Sequence, residues 1–128
     1  MAIRRVQDLH VYAEAFACAM GLFERSRAWP KEERYALTDQ VRRSSRSVCA
    51  NLTEAWAKRG YPRHFASKVT DAHGEAEETL TWVQFAQSCG YLDAGTADQL
   101  RTRYRKLNAG PVRMVETREQ WCAPAKRP

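Results

Sequence analysis

The chain has 128 residues, enough for one domain with a core of its own and too few for two. Lys and Arg outnumber Asp and Glu by 21 to 15, and a formal charge of +6 favours anionic partners such as nucleic acid over anionic small substrates. No stretch approaches ~18 uncharged apolar residues, so no membrane span is expected. The four cysteines lack C-x-x-C spacing and the N-terminal stretch lacks an apolar export segment, which predicts a reducing, cytoplasmic setting.

Asp8 is placed to cap a first helix near residues 8–27, with Leu9, Tyr12, Ala13, Phe16, Ala17, Met20 and Phe23 (or Leu22) along one face. Arg25-Ser26-Arg27 suits the negative end of its dipole. Trp29-Pro30 then turns the chain into the second helix through a connection short enough to make the two antiparallel neighbours.

The second helix, near 31–59, organises the rest. Leu37, Val41, Val48, Leu52, Ala55 and Trp56 recur at the spacing of one helical face. Pro30 suits the first helical position, Glu32 and Glu33 suit the positive end of the dipole, and Gly60 after Lys58-Arg59 reads as a C-terminal cap. About 28 residues are expected to run as one rod roughly 42 Å long.

Tyr61-Pro62 opens a third helix, near 62–89, whose face is Phe65, Val69, Ala72, Ala76, Leu80 (or Thr79), Val83 and Ala86, and Gly90 ends it. Asp71, Glu75, Glu77 and Glu78 gather on it. Residues 41–68 instead carry Arg42, Arg43, Arg46, Lys58, Arg59, Arg63 and Lys68 against Glu54 alone, so the middle helices divide the charge and can pair with each other or between subunits. Asp93 or Thr96 is placed to cap a fourth helix, near 96–121, with Leu100, Tyr104, Leu107, Met114, Val115 and Trp121 as its apolar set and Arg101, Arg103, Arg105 and Lys106 on its polar side. Pro111 removes a backbone donor, at a cost near ~3 kcal/mol inside a helix, and is expected to kink or break it. The reading is an all-α, up-down-up-down antiparallel four-helix bundle over residues 1–122, with a disordered tail at 123–128.

Trp29-Pro30-Lys31-Glu32-Glu33-Arg34-Tyr35, then Leu37, Gln40, Arg42-Arg43, Ser47-Val48, Asn51-Leu52 and Glu54, resemble the second helix of a bacterial four-helix-bundle family. That family includes proteins encoded by intervening sequences in large-subunit ribosomal RNA genes and is similar to the accessory variability protein of diversity-generating retroelements. The match continues through Phe65, Ala72, Gly74, Glu78, Thr81 and Gly90-Tyr91-Leu92. The departures are Cys49 where the family usually has proline, which removes a kink, Ala55 where it has glycine, and Glu75 where it has serine. The resemblance implies a ring-shaped homopentamer.

No catalytic or metal site is expected. Glu-x-x-His pairs, close cysteine pairs, G-x-S-x-G, H-E-x-x-H and glycine-rich phosphate loops are all missing, so no cofactor is expected either. His73 and Glu77 share a face without a second pair to complete a metal site. Glu54 and Glu78 are read as structural carboxylates with Arg43 as a partner for either, rather than as an acid pair, and Ser44 and Ser45 as packing residues. Arg43, Asn51, Glu54, Glu78, Trp29 and Trp56 make up the expected structural and interface set, since tryptophan buries much area while keeping a polar handle.

The basic residues carry the functional expectation. Arg42, Arg46, Lys58, Arg59, Arg63, His64 and Lys68, with Tyr61 to stack on a base, form the expected contact set for RNA or DNA, held through phosphates without marked sequence specificity. The alternative is an interaction scaffold or adaptor whose basic face meets an acidic protein.

Overall fold

The computed structural model describes residues 3–122. Four long helices, α1 (His10–Ser26), α2 (Asp39–Ala57), α3 (Pro62–Ser88) and α4 (Ala94–Glu116), are followed by a short α5 (Arg118–Trp121), and no strand occurs among the described residues. The expected tail at 123–128 lies outside them.

Cross-links between side chains fix the topology. Arg42 near the start of α2 reaches Ser26 at the end of α1, Arg43 reaches Glu78, Lys68 reaches Glu54, and Asn108 reaches Glu77. Residue numbers that rise along one helix and fall along the next make consecutive helices antiparallel. The Glu14–Arg103 pair closes α1 onto α4. Small side chains let the helices approach: Ala15, Ala55, Ala72, Ala76, Ala86 and Ala97 are buried beside Leu22, Leu52, Phe65 and Tyr104. The larger of these side chains stabilises by about 1.5–3 kcal/mol each through removal from water. Within this core the hydroxyls of Ser44 and Thr79 bond across α2 and α3 at 2.8 Å, so both serve packing.

The predicted faces of α2, α3 and α4 are the buried ones, with Thr79 rather than Leu80 inward and with Trp56, Val115 and Trp121 only half-buried at their edge. That of α1 is not. Its core side chains are Val11, Ala15, Cys18, Ala19 and Leu22, while Ala13, Phe16, Ala17 and Met20 face outward. A helix apolar on both sides gives periodicity nothing to choose by.

Four local expectations are also corrected. Asp8 does not cap α1; it lies in a 3₁₀ turn (Val6–Asp8), where its carboxylate accepts from the Arg5 N–H, and Leu9 stands at the cap position. The second helix is not one rod, because a 3₁₀ turn (Lys31–Glu33) and a π turn (Arg34–Thr38) precede α2. Those turns are shaped by tertiary contact, since Glu33 accepts the Tyr91 hydroxyl at 2.9 Å and Trp29 packs on the Tyr91 ring. Gly60 is not a left-handed cap. That conformation belongs to Gly90 (φ 81°), where the Tyr91 N–H donates to the Ala86 carbonyl and the Gly90 N–H to Gln87, the paired bonds of a Schellman motif. Finally, α4 runs through Pro111 unbroken, and the chain turns at Thr117 instead. Burial of the Pro111 ring and of Met114 beyond it offsets the missing hydrogen bond. At the other end of α4, Asp93 is the cap, accepting the Thr96 N–H at 2.7 Å, and that bond holds its carboxyl below the usual range.

Candidate nucleic-acid interface

Two clusters hold the basic residues. The first lies on the α1–α2 seam, where Arg42 and Arg46 are one turn apart on α2 and both reach over the Phe23 ring of α1, at 4.8 and 5.6 Å from its centroid. Arg27, just beyond α1, approaches the same ring at 5.8 Å. Each such contact is worth about 0.5–1 kcal/mol at an exposed site. Arg42 is further fixed by donating Nε–H to Ser26 Oγ at 2.9 Å, and that hydroxyl in turn donates to the Phe23 carbonyl. The only carboxylate paired with these three guanidiniums among the described residues is Glu24, 3.6 Å from Arg27.

The second cluster is the α2–α3 turn. Lys58, Arg63 and His64 make no ion pair among the described residues. Arg59 lies over the Trp56 ring, its Cζ 3.7 Å from the centroid, and donates Nε–H to the Trp56 carbonyl. Trp121 meets Trp56 edge-on at 6.4 Å, which brings the end of α4 and α5 to this side. Tyr61 is 57% exposed, its ring 5.9 Å from that of His64. Arg42 and Lys58 are separated by about 24 Å of helix, so the clusters are distinct.

Lys68 stands apart from both. It is paired with Glu54 at 2.7 Å, an interaction that lowers the pKa of Glu54 and raises that of Lys68. Arg43 is consumed as well, bridging Glu78 at 2.5 Å and Glu75 at 3.6 Å. Partial burial pushes the Glu75 carboxyl up. Arg43 therefore partners Glu78 and not Glu54, and the two carboxylates sit about 15 Å apart along the bundle. Glu77 accepts from Asn108 at 2.7 Å and lies 3.6 Å from His73. The acids of α3 are thus largely paired within the chain. Asn51 caps nothing across helices; it donates to the Ser47 carbonyl of its own helix at 2.9 Å. Trp29 is buried and its Nε1 finds no acceptor among the described residues, whereas Trp56 is half-buried. No three His, Cys, Asp or Glu side chains among the described residues converge as metal ligands would.

The 23S rRNA-intervening sequence protein family matches residues 7–110, from the first 3₁₀ turn to the base of Pro111. The chain belongs to this family. A solved structure of a protein of unknown function from the S23 ribosomal protein family of Bacteroides thetaiotaomicron superimposes with a TM-score of 0.74, covering 83% of this chain and 95% of that one. At 20% identity it shows the shared fold. No curated protein matches the chain. Neither the family's description nor that of the structural neighbour names an enzymatic activity. No helix among the described residues is long and apolar enough to cross a membrane.

Sequence reasoning missed Arg27 and Phe23 as members of the first cluster. The signal is the pair of i and i+4 arginines on α2 facing a short connection, but which α1 residue they meet depends on the rotation of α1, which its two apolar sides leave open.

Proposed function

We propose that the protein is a non-enzymatic homo-oligomer whose basic surface binds RNA or DNA through phosphate contacts, without marked sequence specificity. The observation that carries this reading is the convergence of Arg27, Arg42 and Arg46 on the Phe23 ring with one acid among them. Like charges gathered this closely are relieved by an anion, and the guanidinium fork matches two phosphate oxygens at once. Lys58 and Arg63 add cations with no ion pair among the described residues, and Tyr61 adds an exposed ring for stacking. Of the residues first expected to bind, Lys68 drops to a supporting role because Glu54 neutralises it. The family's description, which names 23S rRNA, agrees with a nucleic-acid setting.

The oligomeric part of the proposal rests on unpartnered apolar surface. Phe16 and Met20 on α1 are 53% and 44% exposed, and Phe85 on α3 is 55% exposed beside Trp82, whose Nε1 has no acceptor among the described residues. Because α1 and α3 are diagonal in the bundle, a contact between them joins different patches on successive copies, which is the head-to-tail geometry that closes rings. Five copies is the number implied by the family resemblance.

Fluorescence anisotropy with single-stranded and duplex RNA and DNA tests the binding. Log K is expected to fall by about 0.7–0.9 per phosphate contacted per decade of salt. Arg42→Glu with Arg46→Glu is expected to abolish binding while helicity is kept. Failure of every probe to bind below ~100 micromolar at about 50 mM salt would replace this reading with the scaffold that meets an acidic protein.

A further inference from the structure

The α1–α4 side of the molecule holds a cleft. It has a volume of about 790 Å³, within the ~300–1,000 Å³ typical of small-molecule sites. Its floor is apolar, built from Leu9 and Val11 at the start of α1, Leu107 and Met114 on α4, and Trp121 on α5. Gly110 lies at its base, where any Cβ would sit 3.0 Å from Val11 Cγ2, so glycine lets α1 and α4 meet there. The Trp121 indole is already held by donating Nε1–H to Thr117 Oγ1 at 3.1 Å, which fixes its ring as a wall.

The rim differs in kind. Arg103, Lys106 and Arg113 line it against one carboxylate, Glu14, which is paired with Arg103 at 3.2 Å. Three permanent cations less one anion leave +2, and Lys106 and Arg113 make no ion pair among the described residues. Their i and i+7 spacing places them two turns apart on the same side of α4. An apolar floor beneath an unneutralised cationic rim suits an anion carried on a hydrocarbon body. A wholly apolar ligand would leave the rim unused, and a nucleotide base would find few donors and acceptors on a floor of leucine, valine and methionine.

We infer that this cleft binds an anionic single-chain amphiphile, its apolar body on Leu107, Met114 and Trp121 and its head between Lys106 and Arg113. The site lies apart from the Phe23 cluster on the α1–α2 seam, and only its Trp121 wall touches the second cluster, through Trp56. Methionine methyl groups provide the probe: Met114 is buried at the cleft, and Met20 is exposed on the outer face of α1. Protein labelled with ¹³C at the methionine methyls is titrated with decanoate below its micellar concentration. The Met114 signal is expected to shift saturably while Met20 stays in place, tryptophan fluorescence changes with the same midpoint, and decyltrimethylammonium binds at least about tenfold more weakly. Lys106→Glu with Arg113→Glu should weaken decanoate by a similar factor with circular dichroism unchanged. Should that variant fail to fold, the comparison of the two amphiphiles on the unaltered chain decides. Equal binding of the cationic and anionic amphiphiles, or joint movement of Met20 and Met114 without saturation, overturns the inference. So does association with phosphatidylglycerol vesicles in the absence of any decanoate binding, since that would indicate a lipid surface and not the cleft.

Discussion

Gly110→Ala is expected to destabilise the bundle by about 1–2 kcal/mol, the reverse of its intrinsic effect in a helix. In an open helix interior the change to alanine is favourable by ~0.5–1 kcal/mol, because glycine loses more backbone freedom on folding. At position 110 the added Cβ would lie 3.0 Å from Val11 Cγ2 and 3.2 Å from Val11 Cβ. Val11 is buried and β-branched, so it has no easy rotamer by which to yield, and overpacking of this kind costs about 1–3 kcal/mol. Pro111 acts in the same direction, since its ring crowds the Cβ of a preceding helical residue. Gly74 in the middle of α3 is the internal control, because a Cβ there meets nothing within 4 Å and Gly74→Ala should stabilise. Urea unfolding at one fixed protein concentration compares the two, the fixed concentration being needed wherever association contributes to stability. In a Val11→Ala background the penalty of Gly110→Ala should shrink by about 1 kcal/mol, leaving the part due to Pro111. If Gly110→Ala stabilises as much as Gly74→Ala, the close approach of α1 and α4 at this point is wrong.

Ser44→Ala should cost about 1 kcal/mol in urea unfolding, because the Thr79 hydroxyl keeps its bond to the Glu75 carbonyl at 2.9 Å and is not left orphaned. Adding Thr79→Val should cost less than the sum of the singles, and strict additivity would argue against the shared bond. Tyr91 has its pKa pushed up to about 12, chiefly by its hydrogen bond to Glu33. A folded pKa above the unfolded value of 10.0 makes its contribution to stability complete below pH 10 and lost as pH rises toward 12. Spectrophotometric titration should therefore show one tyrosinate step near 12 that disappears in Tyr91→Phe and moves down in Glu33→Gln; a step unchanged by either substitution would refute the pairing.

Most of the fold is legible in the sequence because α2, α3 and α4 each have one apolar face and one polar face. Val41, Val48 and Leu52, or Phe65, Val69 and Ala72, leave a single rotation that hides them. The rotation of α1 was illegible for the opposite reason: it offers Val11, Ala15, Cys18 and Leu22 on one side and Ala13, Phe16, Ala17 and Met20 on the other. The first turns of the second helical segment were illegible because the contact that shapes them joins Glu33 to Tyr91, 58 positions away. In the candidate interface, the pairing of Arg42 and Arg46 on one face follows from their i and i+4 spacing. The loss of Lys68 to Glu54 does not, and for Arg43 the sequence offers Glu54 and Glu78 alike while the fold selects Glu78, because charge balance in sequence says nothing about which of several acids lies opposite.

The apolar surplus of α1 also sets what kind of assembly the proposed oligomer can be. Phe16 and Met20, each about half exposed, would yield about 1–1.5 kcal/mol apiece on full burial, and Phe85 a similar amount. One interface joining the α1 strip of one copy to the α3 strip of the next therefore gains about 3–5 kcal/mol from these side chains, against an association cost of at least ~4 kcal/mol. A lone pair of subunits held this way would be marginal. A closed ring is better placed, since five copies form five contacts for the entropic cost of four associations, the closing contact being intramolecular. Dilution followed by mass photometry should then show ring and monomer exchanging with little dimer between them. Phe16→Ser with Met20→Ser should convert the ring to the 14.7 kDa monomer without loss of helicity, because neither side chain supports the α1 core. A stable dimer that persists on dilution, or a ring indifferent to both substitutions, would place the contact on some other face.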